Sequence, residues 1–164
     1  MRTLMQAAAV TALVTAAALL LVPVRSLEVT DVRTGRLLWR VPAADGSTVD
    51  LDYTNSIFNA PTTERFEVSG RSLRLVEVSS TQEAVLQYLA LDPPYQSRDG
   101  RLVSRRYGPA VGELTIRIGQ TGRQYLVVGG REIPLYRVGT GEAVRLTISK
   151  VPRVLVVIGQ PRPP

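Results

Sequence analysis

From residue 27 onward, apolar side chains recur at every second position in short runs, and turn-forming residues break the runs at intervals of roughly ten residues. A period of two sends successive side chains to opposite faces of an extended backbone, so each run can bury one face and hydrate the other. The pattern predicts an all-β fold, either a single antiparallel β-sandwich or an open barrel. Residues 48–54 show it most cleanly, with Val49, Leu51 and Tyr53 on one face and Thr48, Asp50, Asp52 and Thr54 on the other. Asp50 and Asp52 therefore read as a solvated strand face, not as paired catalytic carboxylates.

Around that run the same pattern predicts strands at residues 27–32, 36–41, 62–68, 72–78, 101–107, 113–118 and 143–148, with a last short apolar strand at 154–158. Leu73 and Leu75 alternate, then Val76 and Val78 do, so the phase slips by one position; a β-bulge at Leu75-Val76 accounts for the slip. Residues 81–91 fit alternation through Ala84, Leu86, Tyr88 and Ala90 better than a helical period and are read as extended. Residues 92–100 read as a loop. The sharpest local signal is Gly129-Gly130 between Tyr125-Leu-Val-Val128 and Arg131-Glu-Ile133, because two glycines suit both positive-φ positions of a type I′ turn. That turn sets Val128 opposite Arg131 and Leu126 opposite Ile133. Pro134 cannot donate a ladder hydrogen bond, which marks its strand as an edge or turns that position outward. The glycine pair is not a phosphate loop, since no helix and no Lys-Ser/Thr follow it.

The chain is organised around residues 53–68, Y-T-N-S-I-F-N-A-P-T-T-E-R-F-E-V. Asn55, Ser56 and Asn59 supply turn chemistry, and Pro61 holds Ala60 extended. In the returning strand Phe66 and Val68 set the buried face, and a period of two places Glu64 on that same side. A carboxylate there must find hydrogen bonds or its pKa rises. Backbone N–H groups or hydroxyls of the 55–59 loop would satisfy it, pinning the crossover; alternatively Glu64 lines a pocket mouth. Asn55, Ser56, Glu64 and Arg65 are the candidate polar site, structural or ligand-binding.

Composition narrows the chemistry. The chain has no Cys and no His, which removes thiol nucleophiles, imidazole bases and Cys/His zinc sites. No Ser-Lys pair stands at a recognisable spacing, no metal site is indicated, and no cofactor is implied. The net charge of +6 is almost entirely arginine, with Lys150 the one lysine. Arg98, Arg101, Arg105 and Arg106 form the single cluster, near Tyr95 and Tyr107. No helical basic stripe or paired-aromatic motif accompanies them, so the cluster reads as a solvated face and not a nucleic-acid interface.

Residues 3–24 are almost unbroken in apolarity behind Met1-Arg2. Residues 1–26 are therefore expected to form an apolar helix serving as a signal anchor or a cleaved signal peptide. Length favours the anchor; the Ala-rich start and Val24-Arg25-Ser26 leave cleavage open. Either way residues 27–159 are expected to be an exported, extracytoplasmic β domain on the outer side of the cell membrane, or periplasmic or secreted if the leader is cut. Residues 160–164 are expected to be a disordered tail.

Two motifs give a resemblance. A strand ending in Tyr53, a turn, then Thr62-Thr63-Glu64-Arg65-Phe66 resembles the Y-x-H-S-V…P-V-x-E-x-F signature of the bacterial family called domain of unknown function 1850. The L-V-V-G-G-R-E-I-P-L hairpin followed by G-T-G-E-A-V-R-L-T-I resembles that family's C-terminal half, so the likeness runs over about residues 27–150. Asn55 stands where members usually carry His, and Ala84-Val85-Leu86 stands where a Gly-rich G-A-G turn belongs. The resemblance implies a small exported or membrane-anchored β protein of the kind often encoded beside a tripartite ATP-independent periplasmic (TRAP) transporter with a TAXI-type solute receptor and expected to accompany it; it brings no established activity. Two readings follow. The first is a non-enzymatic accessory module that docks on the transporter or receptor through edge strands near Pro134 and residues 154–158. The second is a small-ligand module in which Glu64 and an arginine line a pocket between sheets. An enzyme is the disfavoured third.

Overall fold

A computed structural model of the chain describes residue 6 and residues 18–105 and 108–157. Most of the expected N-terminal helix, Arg106 and Tyr107 of the arginine cluster, and the 160–164 tail lie outside the described residues. Among those described, no helix is long and apolar enough to cross a membrane.

The domain is built from two antiparallel sheets and is not a closed barrel. One sheet holds four strands: β1 (Pro23–Asp31), β2 (Leu37–Pro42), β9 (Glu113–Arg117) and β12 (Ala143–Pro152), in the order β2-β1-β12-β9. The other holds β3 (Thr48–Asn55), β4 (Ala60–Ser69), β5 (Ser72–Ser80), β6 (Gln96–Arg98), β7 (Arg101–Arg105), β10 (Tyr125–Val128) and β11 (Arg131–Ile133), in the order β11-β10-β3-β4-β5-β7-β6. The short β8 (Ala110–Val111) pairs with the start of β5. Alternation is the reason for both sheets. Leu27 and Val29, Val49 and Leu51, Phe66 and Val68, and Val144, Leu146 and Ile148 all bury into one shared core between the layers.

Three local expectations match in detail. The Gly129-Gly130 turn has φ of 56° and 76°, and it sets Val128 opposite Arg131 and Leu126 opposite Ile133. β11 is a terminal strand, and Pro134 follows its last residue. Arg65 pairs with Glu77 but Phe66 pairs with Leu75, so Val76 is the extra residue of a bulge. A second bulge, between Val29 and Thr30, skips Leu38 and lets Leu38, Trp39 and Val41 all be buried.

Four expectations are corrected. Residues 81–91 are not extended: Glu83–Tyr88 form helix α1, with Val85 and Leu86 buried. Gln87 Nε2 donates to Glu83 Oε1 at 2.9 Å, a contact between residues four apart on one helix face. The helix covers a satellite core of Val78, Leu86 and Leu91 beyond the edge of the main one. Residues 92–100 are not wholly loop, because Gln96–Arg98 pair with β7 across an Asp99-Gly100 turn in which both φ angles are positive. The last apolar run is not a strand. β12 already has β1 on one side and β9 on the other, so the chain leaves the sheet after Pro152 and forms helix α2 (Arg153–Val157), which buries Val156. At the other end, β1 starts at Pro23, four residues upstream of the strand expected from Leu27, and Pro23 pairs with Pro152.

Candidate functional site

β3 and β4 form the hairpin that carries the candidate residues. Its turn is set by Asn55, which is buried and whose Oδ1 accepts from the backbone N–H groups of Ile57 (3.0 Å) and Phe58 (3.2 Å). Asn59 completes the turn with a φ of 49°, a conformation asparagine tolerates better than most residues. The side chain of Asn55 is thus committed to holding the loop, and Ser56 is exposed beside it.

Glu64 turns inward, as its place in the alternation requires. It pairs with Leu51 on β3 and Val78 on β5, both buried. Its partner is not the 55–59 loop, correcting that expectation. Tyr53 on β3 donates its phenolic O–H to Glu64 Oε1 at 2.7 Å. Tyr53 pairs with Thr62, two residues from Glu64 on the same face, so the two side chains meet on the diagonal. Both residues were legible as core-facing; the missing step was register, which the Asn55 turn supplies.

Burial pushes the Glu64 carboxyl up, and the Tyr53 hydrogen bond pulls it partly back. Burial and the neighbouring carboxyl push the Tyr53 phenol well above the usual tyrosine range. The phenol therefore stays protonated and serves as a fixed donor.

Two clefts between the sheets meet at Glu64. The larger, of about 360 Å³, is walled by Phe66, Leu75, Val78, Leu91, Val111 and Leu114. The smaller, of about 240 Å³, lies towards Leu51, Tyr53, Ile116 and Gln124. Glu64 and Leu114 line both, and among the described residues Glu64 is the one ionisable side chain on the wall of the larger. Gln124 is fixed from behind, accepting from Gly119 N–H at 2.9 Å and donating to the Arg117 carbonyl at 3.0 Å.

Arg65, next in sequence, points to the opposite face, so the candidate residues do not converge. Its guanidinium forks onto Asp50, with Nε and Nη2 each 2.8 Å from a carboxylate oxygen. Among the described residues no arginine lines either cleft, and Arg106, close in sequence to the lining residue Gly108, lies outside that set. Asp50 and Asp52 do lie on the face away from the core, but they are held: Asp50 by Arg65, and Asp52 by the Thr63 hydroxyl. Among the described residues, no group of three or more acidic side chains is arranged to hold a metal ion.

No protein-family model matches the chain, and neither a curated protein nor a solved structure is significantly similar to it.

Proposed function

We propose that the protein is a non-enzymatic binding module for a small, mostly apolar molecule with one polar head, seated in the cleft at Glu64. One observation carries the reading: among the described residues, a single half-buried carboxyl closes an otherwise apolar cleft of a size suited to small ligands. An apolar body covering Phe66, Leu75 and Leu91 would gain about 25 cal/mol per Å² removed from water. A head group that donates to Glu64 would restore the partner that burial takes away. An amine suits the site best, since its positive charge favours the ionised carboxylate that desolvation opposes.

Catalysis is a poor fit to the same groups. Glu64 is hydrogen-bonded by a phenol that holds its proton, and among the described residues no second base or nucleophile stands on the wall of the larger cleft.

The likeness of the two sequence motifs to the domain of unknown function 1850 supports the setting we propose with this reading. In it, the module is exported and tethered to the membrane by its N-terminal apolar segment. It works as an accessory of a TRAP-type transporter or its solute receptor, reached by strand addition at the β11 edge.

The test uses three probes with the same alkyl chain: hexylamine, hexanol and hexanoate. The amine should raise the melting temperature most and the carboxylate least, because a ligand that binds only the folded state stabilises it by mass action. Glu64→Gln should abolish the preference for the amine. Absence of any stabilisation by amine or alcohol would sink the ligand reading, and failure to capture transporter subunits from solubilised membranes would sink the proposed partnership.

A further inference from the structure

The arginine cluster of the sequence takes a definite shape on the outer face of the larger sheet, away from the cleft. Arg65, Arg98 and Arg105 all converge on one carboxylate, Glu77, whose side chain is only 10% exposed. Arg101 makes no ion pair among the described residues. It is held instead by neutral acceptors: Nε donates to Ser79 Oγ at 3.1 Å, and Nη2 reaches the Ser79 carbonyl at 2.9 Å and Thr63 Oγ1 at 3.1 Å, with the Pro61 carbonyl at 3.4 Å. Between these two groups lies a trough of about 320 Å³ floored by Val103.

Arg98 and Arg101 pair directly across the β6–β7 turn. Like charges placed opposite one another on antiparallel strands repel. Glu77 offsets Arg98 but is shared with Arg65 and Arg105, so the trough keeps an excess of guanidinium over carboxylate on its walls. Ser79 Oγ accepts from Arg101 and stands on the wall of the trough, where its own proton can be donated. Asp50 holds Arg65 from outside the trough, and Asp99 adds a carboxylate exposed in the turn, where water screens it.

We propose that this trough binds a phosphate or sulfate group, gripped between the Arg98 and Arg101 guanidiniums with the Ser79 hydroxyl as a third donor. Guanidinium forks match the spacing of oxyanion oxygens, and these two are held in place beforehand by Glu77 and by the Ser79 and Thr63 acceptors. The anion relieves the repulsion between the pair. The site is independent of Glu64, which faces the other side of the sheet.

Calorimetric titration of the full-length protein with inorganic phosphate at low ionic strength, against chloride of equal ionic strength, tests it. Saturable binding is expected. Arg98→Gln/Arg101→Gln should weaken it by at least about tenfold, the loss of one charge-assisted hydrogen bond or more. Arg33→Gln, on an exposed arginine elsewhere, should leave it unchanged. Arg101→Lys, which keeps the charge and loses the fork, is the second variant should the double substitution unfold the protein, and it should also bind more weakly. Vesicles of phosphatidylcholine with and without phosphatidic acid separate the sources. Capture by the acidic vesicles that phosphate displaces supports the site with a lipid headgroup as its ligand; phosphate binding without capture supports it with a soluble phosphate. Absence of saturable phosphate binding, or binding that Arg101→Lys and the double variant both retain in full, overturns the proposal.

Discussion

The Tyr53 hydroxyl lies 2.7 Å from Glu64 Oε1, joining the two polar groups that the core-facing side of the β3–β4 hairpin sends into the cleft. The pair is the hinge of the candidate site, because a half-buried acceptor that loses its donor is left with an uncompensated desolvation cost. Tyr53→Phe should therefore destabilise the protein by about 1–3 kcal/mol, measured by denaturant unfolding at neutral pH. It should also raise the Glu64 pKa further, because the phenol favours the ionised form. Unchanged stability would mean that water replaces the phenol and that the cleft is wetter than its walls suggest.

Stability should depend on pH through Glu64 with a defined sign. Burial holds its carboxyl above the ordinary value of 4.5, so the folded state binds this proton more tightly than the unfolded chain does. The contribution is fully present below the unfolded value and is lost as pH rises through the raised folded value. Wild type should thus lose stability relative to Glu64→Gln as pH climbs from about 4.5 through that folded value. Asp31 acts in the opposite sense: the Thr34 backbone N–H, 2.7 Å from Oδ1, holds it below the usual range, so its contribution is lost only in stronger acid. Melting curves of the two proteins across the pH range check the sign; a difference that grows towards acid would refute it.

The helix that replaces the expected strand at residues 83–88 makes a prediction that separates the two readings. Alternation would bury Tyr88 along with Leu86, whereas in the helix Leu86 is fully buried and Tyr88 is 61% exposed. Leu86→Ala should cost roughly 2–5 kcal/mol. Tyr88→Ala should cost only what its edge contact with the Phe58 ring supplies, about 0.5–1.5 kcal/mol. Equal losses at the two positions would restore the strand.

What could be read from the residues alone, and what could not, follows from how local the determining physics is. The Gly129-Gly130 hairpin, the Val49-Leu51-Tyr53 face and the bulge after Leu75 were legible because turn chemistry and a period of two act within a few residues. The Thr81–Leu91 run was misread because Ala84, Leu86, Tyr88 and Ala90 fit alternation by chance; the deciding fact, a satellite core waiting for Val85 and Leu86, is tertiary. Residues 154–157 carry valines that favour strands, yet both edges of β12 are taken, and no local signal reveals that. Glu64 was found as an inward acid, but its partner needed the β3–β4 register. Arg65 was grouped with Glu64 by adjacency, and adjacency along a strand means opposite faces.

Gly122 marks a close approach that sequence does not announce. A Cβ built there would sit 2.5 Å from the Thr54 carbonyl oxygen, so the loop before β10 rests directly on the end of β3, one residue from Tyr53. Gly122→Ala should cost about 1–3 kcal/mol by forcing the two backbones apart, and it should also weaken any Glu64-dependent ligand effect by moving Tyr53. Gly112, with nothing within 4 Å of the same position, is the control: its alanine variant should leave the ligand effect intact. Identical ligand responses in the two variants would uncouple the loop from the cleft.

The pairing of β1 with β12, residue 23 against residue 152, sets the order in which the molecule can be completed. Among the described strands, β1 waits for the one furthest from it in sequence, and β12 is the strand that joins β1 to β9. Until it arrives, Leu27 and Val29 lack one flanking strand, and a fold in which most contacts join residues far apart in sequence closes slowly. A sheet joined through that one strand fails as a unit: shortening β12 would leave β1 and β9 without their shared neighbour.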